Sequence, residues 1–240
     1  VKRDNHTPEE WAFMFRNVPQ FLARWEALEA LEDDKTALGT QVFEAALKDG
    51  FYGIRQKALQ HVDVTKPAVL ATVAQLAEKD PEPGVKATAL QLLGDSGDQQ
   101  YVPLLQKSLG NEQPYSVVSA ALAGLIKLDP QAAMAASKTL QNDESEAIIP
   151  VLTELYGANP DRANLPFFEA KINKVDYMGA FSFFENYRKF LEGLGDAALL
   201  TAGIDRLKTI ALDAGTSQWR RFGATKAIAD LRAYYREKGD

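Results

Sequence analysis

The sequence contains no cysteine and only two histidines among its 240 residues. Disulfides and thiolate metal sites are therefore excluded. His6 and His61 lie too far apart to form the H-E-x-x-H pair that holds catalytic zinc on one helix. No glycine-rich loop follows a strand pattern, so a phosphate-binding loop is not indicated. The sequence shows no catalytic motif and predicts no cofactor in this chain.

Long apolar runs and a basic excess are also missing. No run of about 18 apolar residues occurs, so no membrane span is predicted. The net charge of −6 and the pI near 5.1 disfavour a nucleic-acid partner, because phosphates favour a basic face. The chain begins with valine and not methionine, so we expect a piece of a longer protein with any targeting signal upstream. The compartment stays open.

The sequence does contain an internal repeat. Acidic residues recur at steps of 31, 32 and 31 residues, and each is followed at fixed offsets by a β-branched residue and by a small or apolar one. The acids are Asp49, Asp80, Glu112 and Asp143; the offset positions are Ile54, Val85, Val117 and Ile148, then Ala58, Ala89, Ala121 and Leu152. Self-similarity at this period is typical of a solenoid, in which helix pairs bury their apolar faces by stacking.

Helix signals support the same architecture. Thr7, Pro8 and Glu10 have the spacing of a capping box, and no segment alternates with period two. The prediction is an all-α, right-handed superhelix of about 11–13 helices with no sheet. We expect one domain over residues 1–240, with phased repeats over about 18–175 and irregular helices with a C-terminal cap over 176–240.

A row of bases has the same period as the repeat. Arg24, Arg55 and Lys86 lie 31 residues apart, and Asp49 and Asp80 each precede a base by six residues. One interpretation is a ladder in which each base bonds an acid of its own or the adjacent repeat. The other is a basic row on the concave face that binds carboxylates of a partner or a peptide substrate. The sequence leaves both open.

The helix predicted near residues 177–194 is unusually aromatic. Apolar side chains cover more than half of its circumference, so it is either buried between neighbouring helices or presents an aromatic surface to another domain. Phe181, Phe184 and Tyr187 are the candidate docking residues.

The repeat, with an acid and a base six residues apart before an Ala-Leu helix, resembles short HEAT-like repeats. The segments 7–11, 19–28 and 219–231 resemble the C-terminal helical domain of bacterial aminopeptidase N-like zinc metallopeptidases of the gluzincin family, and this resemblance covers nearly the whole chain. It implies a non-catalytic domain that encloses the catalytic chamber and restricts peptide access. The zinc would lie in the catalytic domain of the same polypeptide, and Val1–Arg3 would end the linker from a preceding domain.

The main alternative is a freestanding HEAT-like scaffold for protein–protein interaction. A helical-repeat enzyme acting on nucleic acid, or a bilin-lyase-like protein, is a third reading, and the acidic balance disfavours the former. Whether the chain is part of an enzyme stays open at this point.

Overall fold

The computed structural model describes residues 6–110, 112–175 and 177–238. These residues form fourteen α-helices and two short 3-10 helices, and no strand occurs among them. Contacts group the chain into two compact units, Val1–Asp129 and Pro130–Asp240, and each is described by itself. The expectation of one domain stays a prediction, and the linker expected at Val1–Arg3 lies outside the described residues.

Unit 1 consists of helix pairs. Its α-helices are α1 (Pro8–Asn17), α2 (Phe21–Ala30), α3 (Ala37–Ala46), α4 (Tyr52–Leu59), α5 (Pro67–Lys79), α6 (Pro83–Asp95), α7 (Val102–Lys107) and α8 (Tyr115–Leu128). The even-numbered helices are the second members of the pairs, and we call them the second helices. α2 packs against α4, α4 against α6, and α6 against α8. This stacking of each pair on its neighbour confirms the predicted all-α solenoid.

Local sequence explains where several helices begin. The Thr7 hydroxyl accepts from the Glu10 amide, and the Glu10 carboxylate accepts from the Thr7 amide at 2.8 Å, so the predicted capping box is confirmed. Proline occupies the first turn of α5, α6 and α7, where its missing N–H leaves no helical hydrogen bond unmade.

The repeat register predicted from the sequence is also confirmed by burial. The recurring β-branched and alanine positions are buried in the core of unit 1: Ile54, Ala58, Val85, Ala89, Val117 and Ala121. Side chains at these positions point between stacked helices, which is why the same residue types return every 31 or 32 residues.

α6 and α8 approach each other most closely at two glycines. A Cβ atom added to Gly94 would lie 2.5 Å from the Cα atom of Gly124, and one added to Gly124 would lie 2.9 Å from a methyl group of Leu105. Backbone atoms at such a crossing cannot move aside as a side chain can. The glycines therefore set the spacing of these two helices.

Gly94→Ala is expected to lower the free energy of unfolding by about 1–3 kcal/mol, because the strain of overpacking exceeds the gain in helix propensity. Gly84→Ala in the same helix is the matched control, since its Cβ would meet only the Gln56 amide oxygen at 3.9 Å. The control should be neutral or stabilising by up to about 1 kcal/mol. Urea unfolding of both variants measures the difference, and equal midpoints would contradict the assigned close approach.

Unit 2 contains longer helices. Its α-helices are α9 (Pro130–Leu140), α10 (Ile149–Ala158), α11 (Leu165–Lys171), α12 (Tyr177–Leu194), α13 (Ala197–Leu212) and α14 (Gln218–Lys238). α12 packs against α10, α13 and α14, and α13 packs against α14. The aromatic core of this unit is built around Phe168, whose ring centroid lies 4.6 Å from that of Phe190 and 5.2 Å from that of Tyr187. Burial raises the pKa of the Tyr187 hydroxyl to about 12.

Candidate functional site

The first predicted base, Arg24, makes a two-pronged ion pair with an acid of the next repeat. Its Nε donates to Asp49 Oδ2 at 2.7 Å and its Nη2 to Asp49 Oδ1 at 2.9 Å, across 25 residues of sequence. Its Nη1 donates to the carbonyls of Val18 and Pro19, just before its own helix. The Asp49 carboxylate also accepts from the Phe51 amide at 2.8 Å, which fixes the turn leading into α4.

The second base repeats this geometry one helix pair later. Arg55 Nε and Nη2 donate to the two Asp80 oxygens at 2.6 and 2.7 Å, again across 25 residues. Its Nη1 donates to the Asp49 carbonyl at 2.9 Å, and Asp80 accepts from the Glu82 amide at 2.9 Å. Only 9% of the Arg55 side chain and 2% of the Asp80 side chain are exposed. The hydrogen bonds to Asp80 raise the pKa of the Arg55 guanidinium above its ordinary value.

The third base, Lys86, does not continue the ladder among the described residues. It is half-buried at the equivalent position of α6, and no ion pair joins it to another residue in the described ranges. A lysine lacks the planar fork that lets Arg24 and Arg55 bond a carboxylate with two parallel hydrogen bonds and a carbonyl with a third. Of the two readings of the base row, the geometry therefore favours the structural one for Arg24 and Arg55.

A different row of residues in unit 1 was not predicted from the sequence. Counted from the start of each second helix, the first, fifth and ninth residues form one stripe, and none of these twelve residues is buried. We call this stripe the second-helix face: Phe21, Trp25 and Glu29; Tyr52, Gln56 and Gln60; Pro83, Ala87 and Gln91; Tyr115, Ser119 and Ala123. The signal was present, because the helix starts at 21, 52, 83 and 115 have the same spacing as the acids.

Exposed aromatic residues mark one edge of the second-helix face. Phe21 is 43% exposed, Tyr52 50% and Tyr115 55%, and the Phe21 ring lies 4.5 Å from that of Phe51, between centroids. Exposed large apolar side chains that recur in one row are uncommon on the surface of a folded protein.

Further along the second-helix face the side chains are more polar, and some of them are held in place by contacts with neighbouring residues. Gln56 Nε2 donates to Thr88 Oγ1 at 2.6 Å, which links α4 to α6. Lys57 Nζ lies 5.2 Å from the centre of the Trp25 ring, in cation–π range. Gln60 and Gln91 occupy equivalent exposed positions, and no hydrogen bond joins their side-chain amides to another residue in the described ranges. Both amides can therefore donate to and accept from a bound chain.

In unit 2 the structure separates the three predicted docking aromatics. Phe184 and Tyr187 are only 1% and 2% exposed, because they face α10, α13 and α14 and not solvent. Of the two readings of this helix, their burial favours packing between neighbouring helices over a docking surface at these two residues. Phe181 alone remains at the surface, with its ring 5.5 Å from Phe222 and 6.1 Å from Trp219, between centroids. The aromatic surface of α12 is thus shared with α14.

No group of three or more histidine and carboxylate residues is placed to hold a metal ion within the part of the chain that the structure describes. Among the same residues, no helix is both long and apolar enough to cross a bilayer. His61 lies at the edge of the unit 1 core, 3.0 Å from a Glu32 oxygen and stacked on Phe43.

Repeated helix pairs, stacked second helices and a ladder that joins successive repeats define unit 1 as a helical-repeat solenoid. Residues 40–126 match the family model described as HEAT repeats. The match covers α4 to α7 and most of α3 and α8, which includes the Arg55–Asp80 pair. Comparison with curated proteins gave no match.

Proposed function

We propose that the chain is a helical-repeat scaffold whose second-helix face binds a protein partner. The observation that carries the proposal is the row of exposed aromatic residues at equivalent positions of α2, α4 and α8, on a stripe of which none of the twelve described residues is buried. Stacked repeats provide extended binding surfaces, and tyrosine, tryptophan and phenylalanine are enriched at protein interfaces.

The spacing of the second helices favours an extended segment of the partner. Packed helices lie about 8–10 Å apart, and three residues of an extended chain span about 10 Å. In the polyproline II conformation, which has three residues per turn, every third side chain of such a segment points the same way and would meet the next second helix. Apolar side chains of the partner would contact Phe21, Tyr52 and Tyr115, while Gln60 and Gln91 would bond its backbone.

The ladder supports this proposal indirectly. Arg24 and Arg55 already bond carboxylates within the chain, so they hold successive second helices in register and are not available to a partner's acid. Recognition on this face would then rest on aromatic contact and amide hydrogen bonds, with Lys86 as the remaining base of the predicted row.

A narrower proposal assigns the partner. If the chain is the C-terminal domain of an aminopeptidase N-like enzyme, the partner is the zinc-containing catalytic domain of the same polypeptide, and a peptide substrate passes along the second-helix face. The support is the resemblance of the segments 7–11, 19–28 and 219–231. Sequencing the coding region upstream of Val1 tests it: an H-E-x-x-H motif is expected there, and an open reading frame without one would overturn it.

Site-specific photocrosslinking tests the broader proposal. A benzoyl-phenylalanine placed at Tyr52 or Tyr115 should crosslink the same protein in extracts of the source cells, because both positions lie on the proposed binding stripe. The matched control is Phe13, which is 65% exposed on the first helix of a pair. Equal crosslinking of that protein from Phe13, or no common product from the two tyrosine positions, would overturn the proposal.

A further inference from the structure

The helices α13 and α14 of unit 2 enclose an open groove between them. Its volume is about 600 Å³. Its lining combines apolar residues, among them Leu212, Ile228 and Ala229, with the three bases Lys208, Arg232 and Arg236. Leu212 is 80% exposed, which is the largest exposure of any large apolar side chain in the described ranges.

The charged residues that line the groove all have one sign. Three bases line it and no acid does. Lys208 is paired with Asp205 one turn earlier on α13. This pair is exposed, and exposed ion pairs contribute little stabilisation. On α14 the Asp230 carboxylate pairs with Lys226 and lines a different pocket. Arg232 and Arg236, one turn apart, make no ion pair with another residue in the described ranges.

The dimensions of the groove fit a helix. From Thr225 to Arg236 the axis of α14 rises about 17 Å, which is three helical turns. Alanines in the lining allow a third helix to approach closely, and Leu212 with Ile228 supplies apolar contact. A helix that binds in such a groove uses apolar residues at positions i, i+3, i+4 and i+7.

We infer that this groove is a docking site for an acidic amphipathic helix of a partner protein. The apolar stripe of that helix would lie on Leu212 and Ile228, and its flanking carboxylates would pair with Arg232 and Arg236. A second copy of this chain is a poor occupant, because two copies of the same rim would bring like charges together. The groove lies in unit 2, so this inference does not depend on the second-helix face of unit 1.

Fluorescence anisotropy with designed peptides tests the inference. The probes are fifteen-residue peptides, fluorescein-labelled, with leucine, isoleucine or phenylalanine at the helical stripe positions and glutamate beside them. The counterparts carry lysine in place of glutamate. We expect the acidic peptides to bind about tenfold or more tightly than the lysine counterparts, and their affinity to fall as salt rises.

Charge reversal in the protein locates the binding. The double substitution Arg232→Glu and Arg236→Glu should lower the affinity for the acidic peptides by about tenfold or more. Leu212→Ser should lower the affinity for both kinds of peptide. The matched control is Lys79→Glu with Lys138→Glu, which changes the net charge equally at exposed positions elsewhere and should leave binding unchanged. Circular dichroism checks that each variant keeps its helices.

Four results would overturn the inference. One is equal affinity of the acidic and lysine peptides. Another is unchanged affinity of the Arg232→Glu, Arg236→Glu variant. A third is the absence of binding of any probe with a dissociation constant below about 1 mM, which corresponds to a binding free energy of about −4 kcal/mol. The last is binding to phosphatidylserine vesicles that depends on these arginines while the peptides do not bind, which would assign the face to a lipid surface.

Discussion

Arg55→Met is expected to lower the free energy of unfolding by about 3–5 kcal/mol, because it leaves the carboxylate of Asp80 buried without its counter-ion. Asp80 would keep only the hydrogen bond from the Glu82 amide, while 2% of its side chain is exposed to water. Methionine preserves much of the volume of the arginine side chain, so the loss comes from the charge and its hydrogen bonds. Urea unfolding followed by circular dichroism measures it.

Two further variants separate the ladder from ordinary ion pairs. Arg55→Met with Asp80→Leu removes both charges and should recover much of the loss, since an apolar replacement of a buried pair is often neutral. Lys127→Met breaks the exposed pair with Asp95 and should change stability by less than about 1 kcal/mol. A cost below about 1 kcal/mol for Arg55→Met would mean that the pair does not hold the repeats together.

Phe168→Ala is expected to cost about 3–5 kcal/mol, because it opens a cavity at the centre of the unit 2 core. The side chain of Phe168 is fully buried, and its ring contacts those of Phe167, Phe183, Tyr187 and Phe190. Removing the ring loses its own burial and leaves its neighbours without contact on one side. Urea unfolding gives the cost.

Phe181→Ala on α12 is the control for this prediction. Phe181 is 37% exposed, so its truncation should cost clearly less than that of Phe168, within about 1 kcal/mol of the parent. If the two variants unfolded at the same urea concentration, the assignment of a buried and an exposed side of α12 would be wrong.

The repeat of unit 1 could be predicted from the sequence because equivalent positions of each repeat pack against the neighbouring repeats in the same way. Ile54, Val85 and Val117 are buried at one position of successive repeats, and a local pattern of this kind is visible without knowing the partner helix. The partner of each arginine was less predictable. Linear spacing places Asp49 six residues before Arg55, whereas the stacking brings Arg55 to Asp80, 25 residues ahead.

The aromatic residues of α12 show a different limit. Phe184 and Tyr187 share a helical stripe with Phe183 and Phe190, but six aromatic residues cover so much of the helix that the sequence did not identify its exposed side. That side is determined by α14, whose Gly223 lies so close to the Phe184 ring that an added Cβ would be 2.7 Å away. Contacts between distant segments of this kind leave no local pattern.

The second-helix face was missed for a related reason. Its first residues are phenylalanine, tyrosine, proline and tyrosine, and a pattern of apolar residues is ordinarily assigned to the core. Only the exposure of Phe21, Tyr52 and Tyr115 in the structure distinguishes this row from the buried positions beside it.

The most direct test of the account is the affinity of the crosslinked partner for a variant with Phe21→Ser, Tyr52→Ser and Tyr115→Ser, measured together with urea unfolding. The dissociation constant should rise by about tenfold or more, because aromatic anchors dominate binding energy, while the unfolding midpoint should stay close to that of the parent. Phe13→Ser is the control and should change neither quantity. A triple variant that binds within about twofold of the parent would contradict the claim that this face is the binding surface.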